Sequence, residues 1–303
     1  MSRSVKAHIL LVFVTLIWGA TFVVIKYALA DISPLLFNAV RMLLAATCLG
    51  ALYWKHIIRI NLNTFRSGLM VGIFLWAGYE FQTTGLRLTT PSKSGFITGI
   101  SVVLVPLFMA VFWKRRVNHW TLLGVAAAFC GLALMAIPSG GMGGYADWSK
   151  INAGDILTLA CAAAFAFQII FLGGATQKHP FQPIAFLQTA VAAVLMLITI
   201  PLAEKAHVVW SSRVIWAIVT TGMFGTALAF TVQAWAQQFT PPTHTALIFS
   251  LEPVFAWLTS YVVLHERLGA RPAAGAFLIL AGVLLSELMG AGGPRIEAAT
   301  QDA

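Results

Sequence analysis

Charge is what this sequence has least of. Only 10% of its 303 residues are Asp, Glu, Lys or Arg, against about 25% in an ordinary soluble domain. That excludes a water-facing globular surface. Acidic residues are scarcest, 10 against 19 Lys and Arg, which leaves a formal charge of +9. No dense basic patch stands on a polar helix, so nucleic acid is not an expected partner. Cysteine is rare too: Cys48, Cys130 and Cys161 all fall in apolar stretches without metal-ligand spacing. A disulfide framework is therefore not expected and packing is their expected role. There is no Asn-x-Ser/Thr acceptor and no Gly-x4-Gly-Lys-Ser/Thr loop, so ATP drive has no motif to rest on. His265-Glu266-Arg267-Leu268 is followed by Gly269, where a zinc protease needs a second histidine. Gly154-Asp155 has no matching second aspartate. No cofactor, metal or enzymatic chemistry is expected.

What the chain has is apolar length. With 59% hydrophobic residues and a mean hydropathy of +0.85, ten spans can be read, at roughly 8–28, 34–54, 67–87, 93–113, 119–138, 153–174, 183–202, 213–236, 243–264 and 272–290. Each is close to the ~20 residues that an α-helix needs to cross about 30 Å of hydrocarbon. Arg3 and Lys6 before the first run, and Ala28-Leu29-Ala30 after it, imitate a secretory signal. The run is long for one, however, and its place in a repeat argues that it stays.

The ninth span carries Glu252 directly before Pro253 in its middle. Proline there removes a donor and frees the Phe249 carbonyl one turn back. A bare carbonyl and an ionisable group at membrane depth are tolerated only against protein or a wet cavity. The span reads as a broken helix beside a polar cavity.

The chain also repeats itself. Pro91, Arg116, Gly124 and Gly131 correspond to Pro242, Arg267, Gly275 and Gly282, all 151 residues apart, and Pro34-Leu35-Leu36-Phe37 corresponds to Pro183-Ile184-Ala185-Phe186 at 149. Between the halves lies the glycine-rich stretch beginning Pro138-Ser139-Gly140-Gly141. The expected organisation is a first five-helix repeat over 1–138, a linker over 139–152, a second repeat over 153–290 and a disordered tail over 291–303. Five spans per half is odd, so the second half enters the membrane from the opposite side. The expected fold is an all-α integral membrane protein of ten helices in two inverted five-helix repeats, a plan of many secondary transporters. Loop charges set the orientation. Arg3, Lys6, Lys55, Arg59, Arg66, Lys114, Arg115 and Arg116 share one side in the first half. That side is expected to be cytoplasmic, together with both termini.

Four motifs carry a family resemblance: Trp18-Gly19-Ala20-Thr21-Phe22, Arg41, the stretch Thr90 to Pro106, and Leu251-Glu252-Pro253-Val254-Phe255 followed by His265-Glu266-Arg267-Leu268. By these the chain resembles the EamA family of the drug/metabolite transporter superfamily, over about residues 8 to 289. The resemblance implies ten helices in inverted repeats in a bacterial inner membrane, and export or uptake of small metabolites such as amino acids. Lys114-Arg115-Arg116 departs from the Gly-Glu-Arg-like turn of many members.

Several side chains could carry transport. Gln82 and Gln233 are 151 apart, so repeat symmetry pairs them. An amide offers donors and acceptors and suits a zwitterion; satisfying a neighbouring backbone is the plainer role. Glu80, beside Tyr79, competes with Gln82, because residues two apart point about 200° from each other on a helix. Glu80 is either a coupling carboxylate or one half of an ion pair with Arg41 or Lys26. Glu252 is either a coupling group or a cap at its break that pairs with Arg41. Pro106 and Pro253 are kink sites and candidate hinges. Trp18 and Phe167, 149 apart, and Gln168 beside the latter could wall a small-molecule site. Lys26 and Arg41 have Ala175 and Ala190 as their counterparts in the other half; snorkelling or capping near the interface is the plainer role, while such asymmetry suits a specific charge role such as meeting a substrate carboxylate. His244 is read as a helix-end residue with some scope for proton relay.

The expected function is an alternating-access carrier, a monomer in a lipid bilayer with a small-molecule substrate. Drug export, a channel and an intramembrane enzyme are the alternatives. The topology has a direct test. Reporter fusions at Lys114 and at Gly143 should report opposite sides of the membrane; the same side for both would remove the inverted repeat.

Overall fold

A computed structural model describes residues 2–86, 88, 91–136, 151–264 and 269–290. The glycine-rich linker, His265–Leu268 and the tail lie outside them. The described chain is helical: α1 Arg3–Ala28, α2 Pro34–Leu52, the short α3 Trp54–Ile57, α4 Leu62–Leu86, α5 Pro91–Gly99, α6 Ser101–Trp113, α7 His119–Ala136, α8 Ala153–Lys178, α9 Phe181–Ala203, α10 Ser212–Thr220, a π-helical segment Thr221–Leu228, α11 Ala229–Ala236, α12 Pro242–Phe249, α13 Glu252–Leu264 and α14 Ala270–Gly290. Among the described residues nine stretches are long and apolar enough to cross a membrane. The predicted span at 67–87 falls in α4, which has 25 residues. It is of crossing length but carries Arg66, Glu80 and Gln82, and it is not among the nine.

Helix ends are secured locally. Ser2 accepts from Val5 N at 3.3 Å at the start of α1. Asn152 and Asp155 form a reciprocal capping box at the start of α8, with both bonds at 3.0 Å. The first amides of α2 have no side-chain cap of their own. Glu204 supplies one from the distant end of α9, accepting from Leu35 N at 2.8 Å. The same end of the molecule is tied by a small bridge between Ile32 and Val208. There Ser33 N donates to His207 O at 3.0 Å and Val209 N to Asp31 O at 2.7 Å. These loops connect α1 to α2 and α9 to α10, so the bridge fixes two helix pairs across the chain midpoint.

Two helices are broken at matching positions. Between α5 and α6, Ile100 N turns back to Ile97 O at 3.1 Å and Val103 N to Ile100 O at 2.8 Å. Between α12 and α13, Leu251 N turns back to Ile248 O at 3.1 Å. Ile100 and Leu251 are 151 apart, the spacing of the sequence repeat. The break expected at Pro253 is there. Pro106, a candidate kink site, is buried inside α6, and the helix is interrupted six residues before it. The reason is which carbonyl a proline frees. Pro106 takes the partner from Val102, in the first turn of α6, and Pro253 takes it from Phe249, the last residue of α12. Each proline therefore follows its break.

Helix partners cross the midpoint. α1 packs on α11, α12 and α13, while α8 packs on α4, α5 and α6; α2 lies against α9, and α7 against α14. The α7–α14 contact is a glycine seam. A methyl added to Gly124 would fall 2.5 Å from the Gly282 carbonyl oxygen, and one added to Gly282 would fall 2.5 Å from that of Gly124. Gly131 and Gly275 repeat this at 2.5 and 2.6 Å. Pairing 124 with 282 and 131 with 275 means that the two helices run antiparallel. Without a hydrophobic drive between helices in lipid, close backbone approach at small residues is what holds them.

That seam gives a test in which two effects have opposite sign. Ala exceeds Gly in helix propensity by about 1 kcal/mol. Gly174 has no atom near its added methyl, so Gly174→Ala should leave the thermal midpoint unchanged or raise it. Gly282→Ala should lower it despite the better propensity. Equal shifts would show that the seam is not tight.

Candidate functional site

A polar band runs between the two breaks. At the first, Thr98 of α5 lies 3.9 Å from Cys161 Sγ of α8. Cys161 is fully buried and close enough to Tyr79 of α4 for electrostatic interaction. Tyr79 lies under Arg41 of α2, whose guanidinium carbon is 4.7 Å from the ring centroid, with Phe37 at 5.9 Å on another side. Cation–π contact of this kind holds a guanidinium over the ring face. Arg41 is only 6% exposed and its Nε has no hydrogen-bond partner. Glu252, the first residue of α13, is within range of the Arg41 charge, and the helix start favours a carboxylate there. Among the described residues the band thus brings together the Arg41 cation of α2 and the Glu252 carboxylate of α13, with Arg41 Nε as an unused donor. Apolar side chains beside both breaks, Val102, Leu251 and Val254, share one core cluster.

Aromatic residues flank the band. Trp18 donates from Nε1 to the Gly225 carbonyl at 2.8 Å, inside the π-helical segment. A π segment shifts backbone bonds from i−4 to i−5, as Ala229 N to Phe224 O illustrates, and such segments concentrate at functional sites. Trp18 also meets Phe249 edge-on at 4.9 Å and Phe230 at 5.8 Å. Its counterpart Phe167 stacks on Phe108 at 4.6 Å and lies 5.1 Å from Phe74. Trp18 therefore touches the broken helix of the second half, and Phe167 that of the first.

The amides are arranged differently from a symmetric pair. Gln233 Nε2 reaches Gln168 Oε1 at 3.3 Å, and Gln168 Nε2 donates to Gln188 Oε1 at 2.9 Å. Gln237 receives a longer bond from Gln233 at 3.4 Å and donates to Ile169 O at 2.9 Å. All four amides are at most 2% exposed. This chain sews α8, α9 and α11 together, yet Gln233 Oε1 and Gln188 Nε2 keep no partner. The structure thus brings Gln168 and Gln233 together and leaves Gln82, half-buried on α4, outside that chain. Glu80 is half-buried and engaged with a neighbouring group. The Lys26 side chain lies outside the described residues. Pro253 is half-buried at its break.

Sequence reasoning missed Gln188 and Gln237, which carry no repeat signal, and Cys161 and Thr98, which look like packing residues. It also missed Trp76, on α4 three residues before Tyr79, whose buried Nε1 has no acceptor. Only its spacing on the Tyr79 face could have marked it.

The chain belongs to the EamA-like transporter family, whose model matches residues 5–137 and again 152–288. It is 35% identical over 288 residues to an uncharacterized transporter of Archaeoglobus fulgidus, covering 94% of this chain and 87% of that one. It is 24% identical to the uncharacterized transporter YoaV of Bacillus subtilis, covering 93% and 97%. To the uncharacterized inner membrane transporter YedA of Escherichia coli K12 it is 24% identical, covering 89% and 85%. A solved crystal structure of a protein 18% identical in sequence superposes with a TM-score of 0.78 over 94% of this chain and 97% of that one. That likeness concerns the fold alone. The chain is a multi-pass membrane transporter.

The amide chain predicts an asymmetry between the two glutamines. An interhelical hydrogen bond in a membrane protein contributes about 0.6 kcal/mol. Gln233→Ala should lower the thermal midpoint in detergent measurably, and Gln82→Ala should not. Equal midpoints would show that the chain does not hold the helices.

Proposed function

We propose that this transporter is an alternating-access carrier that exports small zwitterionic metabolites, amino acids among them, across a bacterial inner membrane. The observation that carries the reading is the buried Arg41, with unused donor capacity, sharing its band with Glu252. A substrate carboxylate would meet Arg41, in the bidentate geometry a guanidinium favours, and a substrate ammonium would meet Glu252. Tyr79 positions Arg41 from below. Trp18 and Phe167 wall the site from the two sides, and Gln82, Gln168 and Gln233 supply further donors and acceptors. Glu80 and Lys26 are candidate coupling groups.

The architecture behind this reading is ten crossing helices in two inverted repeats, with both termini cytoplasmic. The antiparallel, reciprocal seam of α7 and α14 supports it, as do breaks at repeat-equivalent positions. Counting α4 as a span completes the ten. The moving bodies are not the two sequence halves. α1 packs with α11 to α13, and α8 with α4 to α6, so each body contains one helix from the other half. Relative rocking of these bodies about the breaks, with Pro253 and Pro106 beside them, would open the Arg41 band to each side in turn.

Counterflow in proteoliposomes tests the reading. Wild-type protein loaded in turn with each unlabelled amino acid should accumulate the labelled form saturably. Arg41→Gln and Glu252→Gln, if folded, should each lose at least about tenfold in uptake, the effect of 1.4 kcal/mol. Failure across all twenty amino acids with folded protein would overturn the zwitterion assignment. It would redirect the search to lipophilic compounds suited to the Phe74–Phe108–Phe167 stack.

A further inference from the structure

Away from the polar band, three helices bring together residues that no stretch of sequence joins. His8 lies in the second turn of α1, His244 is the third residue of α12, and Glu287 is in the last turn of α14. His8 Nδ1 is 2.6 Å from Glu287 Oε2 and His244 Nδ1 is 3.0 Å from Glu287 Oε1. The imidazoles stack with centroids 6.1 Å apart and planes 29° from parallel. The side chains are 22%, 15% and 20% exposed, so the cluster is enclosed by protein yet reachable from water.

We propose that His8, His244 and Glu287 form a binding site for a divalent transition-metal ion, Zn2+ by donor chemistry. One ligand atom from each of the three lies within 4.8 Å of the others. Nitrogen and carboxylate oxygen bind zinc at about 2.0–2.2 Å, which in a tetrahedron places donors about 3.4 Å apart. Small side-chain rotations close the difference. His8 is free to make one, since its other ring nitrogen, Nε2, is buried with no hydrogen-bond partner. Two imidazoles and one carboxylate make a three-ligand site with a fourth position for water, and imidazole donors select zinc over magnesium or calcium. A carboxylate spanning two imidazoles offsets part of the ion's charge. The bound ion would staple α1 to α12 and α14 at one end of the bundle. In the orientation read from the loop charges that end is cytoplasmic. The assignment stands independently of which substrate is carried.

The test is titration of purified protein with Zn2+ against a chromophoric competitor, and with Co2+ as a spectroscopic probe, at roughly pH 7.5, above the ordinary imidazole range. One equivalent should bind, with cobalt giving ligand-field bands of a low-coordinate nitrogen–oxygen site. Binding should weaken as the pH falls, because protonated imidazole cannot ligate. His8→Ala, His244→Ala and Glu287→Gln should each weaken binding at least about tenfold, the smallest loss typical even of an outer-shell change. His207→Ala, at the opposite end of the bundle beside the Ile32–Val208 bridge, should leave it intact. Glu287→Gln keeps volume and a hydrogen-bond acceptor, so it reports on ligation even where an alanine variant unfolds. The proposal is overturned if wild type takes up no more Zn2+ than Glu287→Gln does. Binding by all three variants as tight as that of wild type would overturn it too.

Discussion

One constraint governs this molecule: a backbone polar group at membrane depth must find a partner inside the protein. Continuous helices meet it by themselves. At Ile97–Val103 and at Ile248–Phe255 the helices do not, and the surroundings are arranged accordingly. Tight i−3 bonds close each break, apolar side chains from both breaks seal it in a common cluster, and the few buried polar side chains gather alongside. Arg41, Tyr79, Glu252, Cys161 and Thr98 sit where the ladder is interrupted because that is where polar groups are tolerated. Trp18 serves a third irregularity, donating to a carbonyl of the π-helical segment.

The packing that holds these irregularities is of two kinds. At the α7–α14 seam glycines let backbones touch, and the energy comes from close contact. Around α8, α9 and α11 it comes from amides bonded in series. Neither relies on apolar burial, which has little to offer between helices already in hydrocarbon. Because α1 and α8 each pack among helices of the opposite half, the sequence repeat and the packing groups are different partitions of the same chain.

The sequence made legible whatever is local or periodic. Span lengths, the break at Pro253 and the repeat markers Gly124, Gly131, Gly275 and Gly282 all follow from short-range pattern. Pro106 does not mark the break at Ile100, because a proline marks the carbonyl it frees and not the point where the chain turns. The π-helical segment was illegible, since Thr221 to Leu228 contains no residue that demands it. Gln168 and Gln233 stood out as buried amides, but their joining through Gln188 depends on how α8, α9 and α11 meet. His8 and Glu287 are illegible for the same reason in the extreme, lying near opposite ends of the chain.

The central claim is that two interleaved bodies rock about the paired breaks to expose the Arg41 band alternately. The most direct measurement is a pair of distance distributions by pulsed spin-label spectroscopy. One pair is placed at Arg3 and Lys114, at the end where α1 begins, and the other at Ile151 and Arg213, at the opposite end. In the presence of a saturating mixture of the twenty amino acids, the two distances should change in opposite senses, one lengthening as the other shortens. Both lengthening together, or neither moving while counterflow proceeds, would contradict the account.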